Sequence, residues 1–594
     1  MNKARKKTYK SGKAKKLVRE SFILSSTRYL SSRIVRFFES GKASPILTSA
    51  KKVNRFAREK VTGPLYKRIG IRSNFAMPAR NAVASFVSHN PIIKGLNAFR
   101  TAFLNTSLRT VGVFLLTFGI YAAAIFLLKS YISLALGTAA SVDDLSFAAI
   151  TALVGLLLTA FGEKSILNAV GNSRIIGSLL SNCLGVNDSS LDRYSQKATG
   201  TAVGFGFLLG SVFGISTLFF TPLSVMCFLL TLILGIAIFH IPEFGILLGI
   251  TTFTFVPVGV LASISTVTLI SYLLKCVRLK RNLRFGTADA LVLLMFLAMF
   301  IGCLVSDGGI SQGEYYLLAF AAVYFAAKNL LITERLVVQT FNALCTGVSL
   351  GMALYILGDF ATLIAHEHLR SAAMSITAYV MDPDALSMAV LATLPFALMS
   401  FSRSSGMRSR LGFLFLAAIC AVFIDSVLLY VLLPISLFVF VSVAYKAPVG
   451  ALLGAFVVIP PIAVLSVDYT ATNVVALGAR TVYDASLSAV SEDGFVNFWS
   501  DFYKFGGGMG TILFIAALLF IFQRVFGVAV SNNGNKMSLF VGTVAASAIV
   551  FIVCSFIFNF FSDLRIYAVM WFVFGFCGSI YKVASLASAK ATEE

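Results

Sequence analysis

The amino-acid sequence predicts an all-α fold, a polytopic transmembrane helical bundle of about 14–16 spans behind a basic cytoplasmic segment. Three observations predict it. Of 594 residues, 58% are hydrophobic and only 13% charged, with a mean hydropathy of +0.86; a soluble domain carries about 25% charged residues. Apolar windows of about 20 residues, the length that crosses a hydrocarbon core, succeed one another from Val111 onward. Charge is divided unevenly: residues 1–110 hold 25 Lys/Arg against 3 Glu, while the rest of the chain holds 24 against 23. These features exclude a string of soluble domains, a disordered chain, a collagen-like repeat and a disulfide-stapled secreted domain.

The basic segment, residues 1–110, opens Met1-Asn2-Lys3-Ala4-Arg5-Lys6-Lys7 with no short apolar stretch and cleavage site behind it. It therefore reads as a cytoplasmic N-terminus and not as a secretory signal. Within 17–38, Ile23, Leu30, Ile34 and Phe37 fall near one helical face, with Arg19, Arg28, Arg33 and Arg36 around it. The expected partner is the anionic inner leaflet, at about 1 kcal/mol per basic residue near the surface. A disordered tail that only sets topology is the alternative. Nucleic acid is not expected, because membrane orientation already accounts for the charge.

Residues 111–200 read as a transmembrane pair followed by a cytoplasmic loop, and 201–594 as the main transmembrane domain. Spans are expected at 111–129, 146–161, 201–219 and 222–239. The run 242–275 is too long for one crossing and divides into two. Then follow 290–305, 317–332, 336–357, 385–402, 411–426, 427–445, 447–465, 509–523, 537–560 and 565–582. Basic residues gather in alternate loops: Arg174 and Arg193 in 162–200, Arg278 and Arg284 in 275–289, Arg403 and Arg408 in 402–410, Arg524 and Lys536 in 523–536. Loops on the other side carry Asp143, Asp144, Asp307 and Glu314. Sixteen spans place every basic loop and both termini in the cytoplasm of a cell-membrane protein. Two external loops are long, 358–384 and 466–508, and loops of that size are where binding and chemistry sit.

The sequence holds no GxxxxGK[ST], no GxGxxG after a strand, no HExxH and no GxSxG, so nucleotide-driven transport by this chain is not expected. Its eight cysteines show no CxxC spacing and read as small residues of apolar helices. Arg370, Arg480 and Arg565 are the arginines expected at the outer face, with Lys504 beside them. An arginine fork binds phosphate oxygens in pairs, and a lipid-linked diphosphate at the outer boundary needs such a group. Ordinary ion pairs, Arg480 with Asp484 or Arg565 with Asp563, are the plainer alternative. His366 and His368 flank Glu367, but i, i+2 spacing on a helix splays the rings apart, so no metal site is expected and the stretch reads as a solvated polar loop or as a substrate contact. Asp425 and Lys328 are ionisable groups inside apolar runs, close enough to span ends to snorkel.

Four stretches carry a resemblance. One is Tyr324-Phe325-Ala326-Ala327-Lys328-Asn329-Leu330. The second is Asp382-Pro383-Asp384-Ala385-Leu386 ahead of a span containing Pro395. The third is Gly506-Gly507-Gly508-Met509-Gly510 between a long external loop and a span ending Gln523-Arg524. The fourth is Asp563-Leu564-Arg565-Ile566-Tyr567 opening the last span. Over residues 201–582 the chain resembles the O-antigen ligase and O-antigen polymerase superfamily of membrane glycosyltransferases. The resemblance implies transfer or polymerisation of glycan from a polyprenyl-diphosphate carrier at the outer face. Arg480, helped by Arg370, Arg565, Lys504, His366 and His368, is then expected to hold the diphosphate and sugar. Asp484 or Glu492 is expected to take the acceptor proton, with no metal and no cofactor required. Two other classes fit the composition: a flippase for lipid-linked oligosaccharide, and a non-catalytic scaffold of the same pathway.

Overall fold

The computed structural model describes Ser85 and residues 106–136, 142–160, 173–186, 203–277, 281, 283–305, 312–364, 380–403, 427–444, 490–491, 494–495, 498–531, 536–556 and 558–593. Among these, eight helices are long and apolar enough to cross a membrane, and four shorter apolar helices accompany them. The chain is an all-α, multi-pass membrane protein. Beyond residue 105 the helices form two compact units: one runs to Gly245 and takes in Ser271–Arg281, and the other comprises Ile246–Ile270 and Asn282–Glu594.

The first unit contains α1 (Leu108–Leu136), α2 (Val142–Ala160), α3 (Arg174–Asn182), α4 (Val203–Ser216) and α5 (Pro222–His240). Leu127, Leu157, Phe207 and Phe228 are exposed, as suits a lipid-facing surface. Lipid gives such helices no hydrophobic reason to associate, so close packing must do it, and small residues permit the approach. A Cβ on Gly112 would lie 2.8 Å from the Gly155 carbonyl oxygen across the α1–α2 seam. On α4, Gly206, Gly210 and Gly214 recur every fourth residue and press on Thr110, Phe114 and Tyr121 of α1. We expect Gly210→Val to cost about 1–3 kcal/mol of stability. Gly204→Ala, where a Cβ meets nothing within 4 Å, is expected to leave the melting temperature in detergent unchanged.

Two further helices, α6 (Pro242–Thr252) and α7 (Val258–Val277), are divided between the units. Thr221 caps α5 by accepting from the Ser224 amide, and Pro222 opens its first turn. At its other end Ser271 donates to the Phe239 carbonyl at 2.7 Å and Lys275 donates to that of His240. Arg281 pairs with Glu243. Part of the basic run 275–284 thus satisfies the orphaned carbonyls of a helix end.

The second unit holds α8 (Thr287–Val305), α9 (Gln312–Ala319), α10 (Ala321–Leu330), α11 (Glu334–Ile364), α12 (Pro383–Arg403), α13 (Val427–Ala444), α14 (Phe498–Ser531), α15 (Lys536–Cys554) and α16 (Leu564–Glu593). A two-residue hairpin, β1 (Val490–Ser491) against β2 (Gly494–Phe495), lies just ahead of α14. Of the spans, α16 is the most enclosed, with 83% of its apolar window buried, so it is the axis on which the others pack. Phe341 of α11 meets Phe396 of α12, Phe540 of α15 and Phe576 of α16 at ring-centroid distances of 4.8, 5.1 and 6.0 Å. Phe341 and Phe540 lie early in their helices. Phe396 lies late in α12, and Phe576 lies past the middle of the apolar stretch Leu564–Ala584 of α16. Helices α11 and α15 therefore run opposite to α12 and α16. Likewise Gly302, late in α8, abuts the Phe505 carbonyl early in α14.

Pro395 inside α12 cannot donate to the Leu391 carbonyl, which no water in a bilayer core would satisfy. Ser436 of α13 donates to it at 3.0 Å, and Ser547 of α15 donates to the neighbouring Ala392 carbonyl at 2.6 Å. The break in the α12 ladder thus coincides with the acceptors that join three helices.

Several expected boundaries shift. The run 242–275 does divide in two, at 253–257. Residues 317–332 are not one span but two short helices interrupted at Phe320. Helix α11 continues to Ile364, so residues 358–364 of the first expected external loop are helical. Helix α14 begins at Phe498, so residues 498–508 of the second are helical too, with a kink at Gly507, whose φ of 59° suits glycine. The segment 17–38 and the spans expected at 411–426 and 447–465 lie outside the described residues.

Candidate functional site

Of the residues expected to carry chemistry, Arg480, Asp484, Glu492, Arg370, His366 and His368 lie outside the described residues. Arg565 and Lys504 lie within them, both at the end of the second unit where α14 and α16 begin. Arg565 is folded back on Asp563: its Nε donates to Oδ1 at 2.9 Å and its Nη2 to Oδ2 at 2.6 Å, while its backbone amide donates to Oδ1 at 2.9 Å. Both side chains are mostly buried, at 12% and 5% exposure. The guanidinium is therefore already engaged by a carboxylate, the plainer of the two alternatives for this residue. Lys504 is 64% exposed and pairs with Asp501 at 3.4 Å, a surface contact worth about 0–1 kcal/mol.

The same end is clamped by aromatic packing. Phe498, Phe502 and Phe514 of α14 stack among Phe560, Phe561 and Trp571. Trp499 donates to Ser555 at 2.9 Å, and Asn559 donates to Asp501 at 2.6 Å. The first turns of α14 are thus tied to the α15–α16 connection and continue the packed bundle to within three residues of the hairpin. Asp384 lies in the first turn of α12, where a carboxylate favours the positive helix end.

The opposite end holds the unit's most deeply buried charges. Lys328, in the last turn of α10, is 3% exposed and does not snorkel. It forms an ion pair with Asp289, which is wholly buried in the first turn of α8. Asp289 is the third residue of that helix and accepts from the amide of Gly286, just ahead of the first turn. A side chain at this position reaching back to that amide is half of a capping box. Its other oxygen accepts from the Tyr324 hydroxyl at 3.0 Å. Asn329 accepts from the Arg284 amide at 2.9 Å and donates to the Phe325 carbonyl at 2.9 Å. Tyr324, Lys328 and Asn329 therefore share one structural role, since all three polar side chains bind the chain at the entry to α8.

Close packing holds this arrangement in place. A Cβ on Gly575 would lie 2.5 Å from the Tyr324 carbonyl oxygen, and one on Gly578 would lie 3.2 Å from Lys328 Cγ. Helix α10 is pressed against α16 over just the turn that delivers Tyr324 and Lys328. In the sequence Lys328 stands out as a charge in an apolar run, but Asp289 passes as a polar residue at the start of a span. The overlooked signal is that a lysine held below the surface demands a carboxylate, and Asp289 is the single acidic residue of α8.

Three more cations surround this pair. Arg524 lies 5.9 Å from the centre of the Tyr581 ring and Lys582 lies 5.8 Å from it. Arg284 and Arg524 both act electrostatically on Lys582 and on Tyr581. Among the described residues no group of three or more His, Cys, Asp or Glu could hold a metal ion. Comparison of the chain with protein-family models, with curated proteins and with solved structures finds no match.

Proposed function

We propose that the chain is a membrane glycosyltransferase of the cell envelope, related to O-antigen ligases and polymerases, that acts at the outer face on a polyprenyl-diphosphate-linked glycan. One observation carries this reading. The end of α11, the start of α12, the start of α14 and the start of α16 all lie at the Arg565 end of one unit. The stretch that contains Arg370 is therefore flanked by two helices that open on one end of the bundle, and the stretch that contains Glu492 runs into the start of α14 at that same end. The opposite end carries Arg284, Lys328, Arg524 and Lys582, the excess expected of a cytoplasmic face.

In the proposed reaction the acceptor hydroxyl oxygen forms a bond to the anomeric carbon as the bond from that carbon to the diphosphate oxygen breaks. The hydroxyl proton passes to Asp484 or Glu492, and the carrier leaves as its diphosphate. Negative charge grows on the leaving oxygen, so the chief demand is a fixed guanidinium, assigned to Arg480 with Arg370. Arg565, engaged by Asp563, acts as a positioning residue that fixes the start of α16. The diphosphate bond itself supplies the driving force, which agrees with the lack of a nucleotide-binding motif.

Arg480→Ala and Arg370→Ala are expected to lower transfer about 10²–10³-fold. Arg480→Lys should not restore it fully, because an ammonium cannot reproduce the fork. The readout is polymer yield together with the leaflet in which lipid-linked repeat units accumulate. Build-up in the outer leaflet supports a transferase, and build-up in the inner leaflet means a flippase. Normal polymer with disturbed assembly means a scaffold.

A further inference from the structure

We propose that the Lys582 end of the second unit binds a phosphate-bearing anion between Arg284, Arg524 and Lys582. The three cations come from separate parts of the chain: the stretch before α8, the last turns of the apolar part of α14, and late α16. Arg524 and Lys582 flank one ring, that of Tyr581, at 5.9 and 5.8 Å from its centre. Arg284, Arg524 and Lys328 all act on Lys582, and Asp289 is the carboxylate that acts on it. That carboxylate is already committed to Lys328, Tyr324 and the Gly286 amide. A Cβ on Gly286 would lie 3.3 Å from Arg524 Nη1 and 3.4 Å from Asp289 Oδ2, so the guanidinium borders the ion pair. Among the described residues neither Arg524 nor Arg284 forms an ion pair of its own.

Arg284, Arg524, Tyr581 and Lys582 are each half-buried. Like charges converging in such a place repel more strongly than in open water, and Asp289, the carboxylate that acts on Lys582, is bonded to Lys328. A tetrahedral phosphate answers that surplus: its oxygens accept from two guanidinium forks and an ammonium at once. The site lies at the ends of membrane-crossing helices, the depth of a lipid headgroup, so the phosphate of an anionic lipid and a free phosphate share the required chemistry. This inference concerns the end opposite the proposed transferase site, and its test reads binding, so either can fail without the other.

The test uses the full chain purified in a neutral detergent. Its melting temperature is followed against added phosphatidylglycerol, phosphatidylcholine or inorganic phosphate. The basic N-terminal segment is expected to attract anionic lipid by itself, so the comparison is between variants that all retain it. Phosphatidylglycerol is expected to raise the melting temperature of the parent protein, and R284Q/R524Q to need about tenfold more lipid for the same rise. R284K/R524K, which retains the charge, should recover most of the response. If R284Q/R524Q fails to fold, K582Q should show a smaller displacement in the same direction. Inorganic phosphate that protects the parent and not the variant identifies a soluble ligand; protection by the lipid alone identifies a headgroup. An identical response of parent and R284Q/R524Q to phosphatidylglycerol and to phosphate overturns the proposal, as does equal protection by phosphatidylcholine.

Discussion

Lys328→Met is expected to destabilise the folded chain by about 3–5 kcal/mol, the usual cost of breaking a buried ion pair from one side. The variant leaves the Asp289 carboxylate wholly enclosed, with the Gly286 amide and the Tyr324 hydroxyl as its remaining hydrogen-bond donors among the described residues. Asp289→Asn removes the carboxylate that Lys328 is bonded to and strands its ammonium instead. Combining the two changes removes both charges and retains an amide oxygen for Gly286 and Tyr324. The double variant should therefore recover most of the loss, because a buried pair adds little over a neutral replacement of similar shape. Melting temperature in detergent, with the monodisperse fraction from gel filtration, measures all four proteins. Single variants as stable as the parent would show that water reaches the pair; a double variant as poor as the sum of the singles would show that the charges do not compensate one another.

How far the sequence foretells this chain depends on which physical signal each feature emits. Span existence is legible because apolar length is a local property: the runs at 111–129, 222–239 and 290–305 correspond to α1, α5 and α8, with boundaries moved by a few residues. The break at Phe320 is not legible, since no glycine or proline marks it. The start of α14 reads too late from sequence alone. Phe498-Trp499-Ser500-Asp501 looks amphiphilic and loop-like by itself, and is helical where Phe498 and Trp499 bury their rings against Phe514 and Phe556. The glycine run around Gly507 does mark a special point, though it kinks a helix and does not precede one. Lys328 announces itself as a charge out of place, whereas its partner lies 39 residues away, beyond the reach of any spacing rule. Arg565 and Asp563, two residues apart, can be paired by inspection, and they are paired.

Gly575→Ala is expected to cost more than a methyl group ordinarily does, because of what lies across the seam. Its new Cβ would stand 2.5 Å from the Tyr324 carbonyl oxygen and 3.1 Å from Ala327 Cβ. Backbone cannot step aside as a side chain can, so α10 must move away from α16. Overpacking of this kind costs about 1–3 kcal/mol where nothing else depends on the position. Here α10 carries Tyr324 and Lys328, and any shift lengthens both of their bonds to Asp289. The loss of that pair, at about 3–5 kcal/mol, then adds to the steric cost. The two contributions separate in the charge-free background. In D289N/K328M no ion pair remains to be pulled apart, so Gly575→Ala should cost only the steric part. The double-mutant cycle between Gly575→Ala and D289N/K328M is therefore expected to show strong non-additivity, beyond the few tenths of a kcal/mol seen for independent sites. Equal penalties in the two backgrounds would mean that the glycine seam and the buried charges stabilise the unit separately. Strong coupling would mean that the close approach of α16 exists to seat a lysine against an aspartate inside an apolar protein.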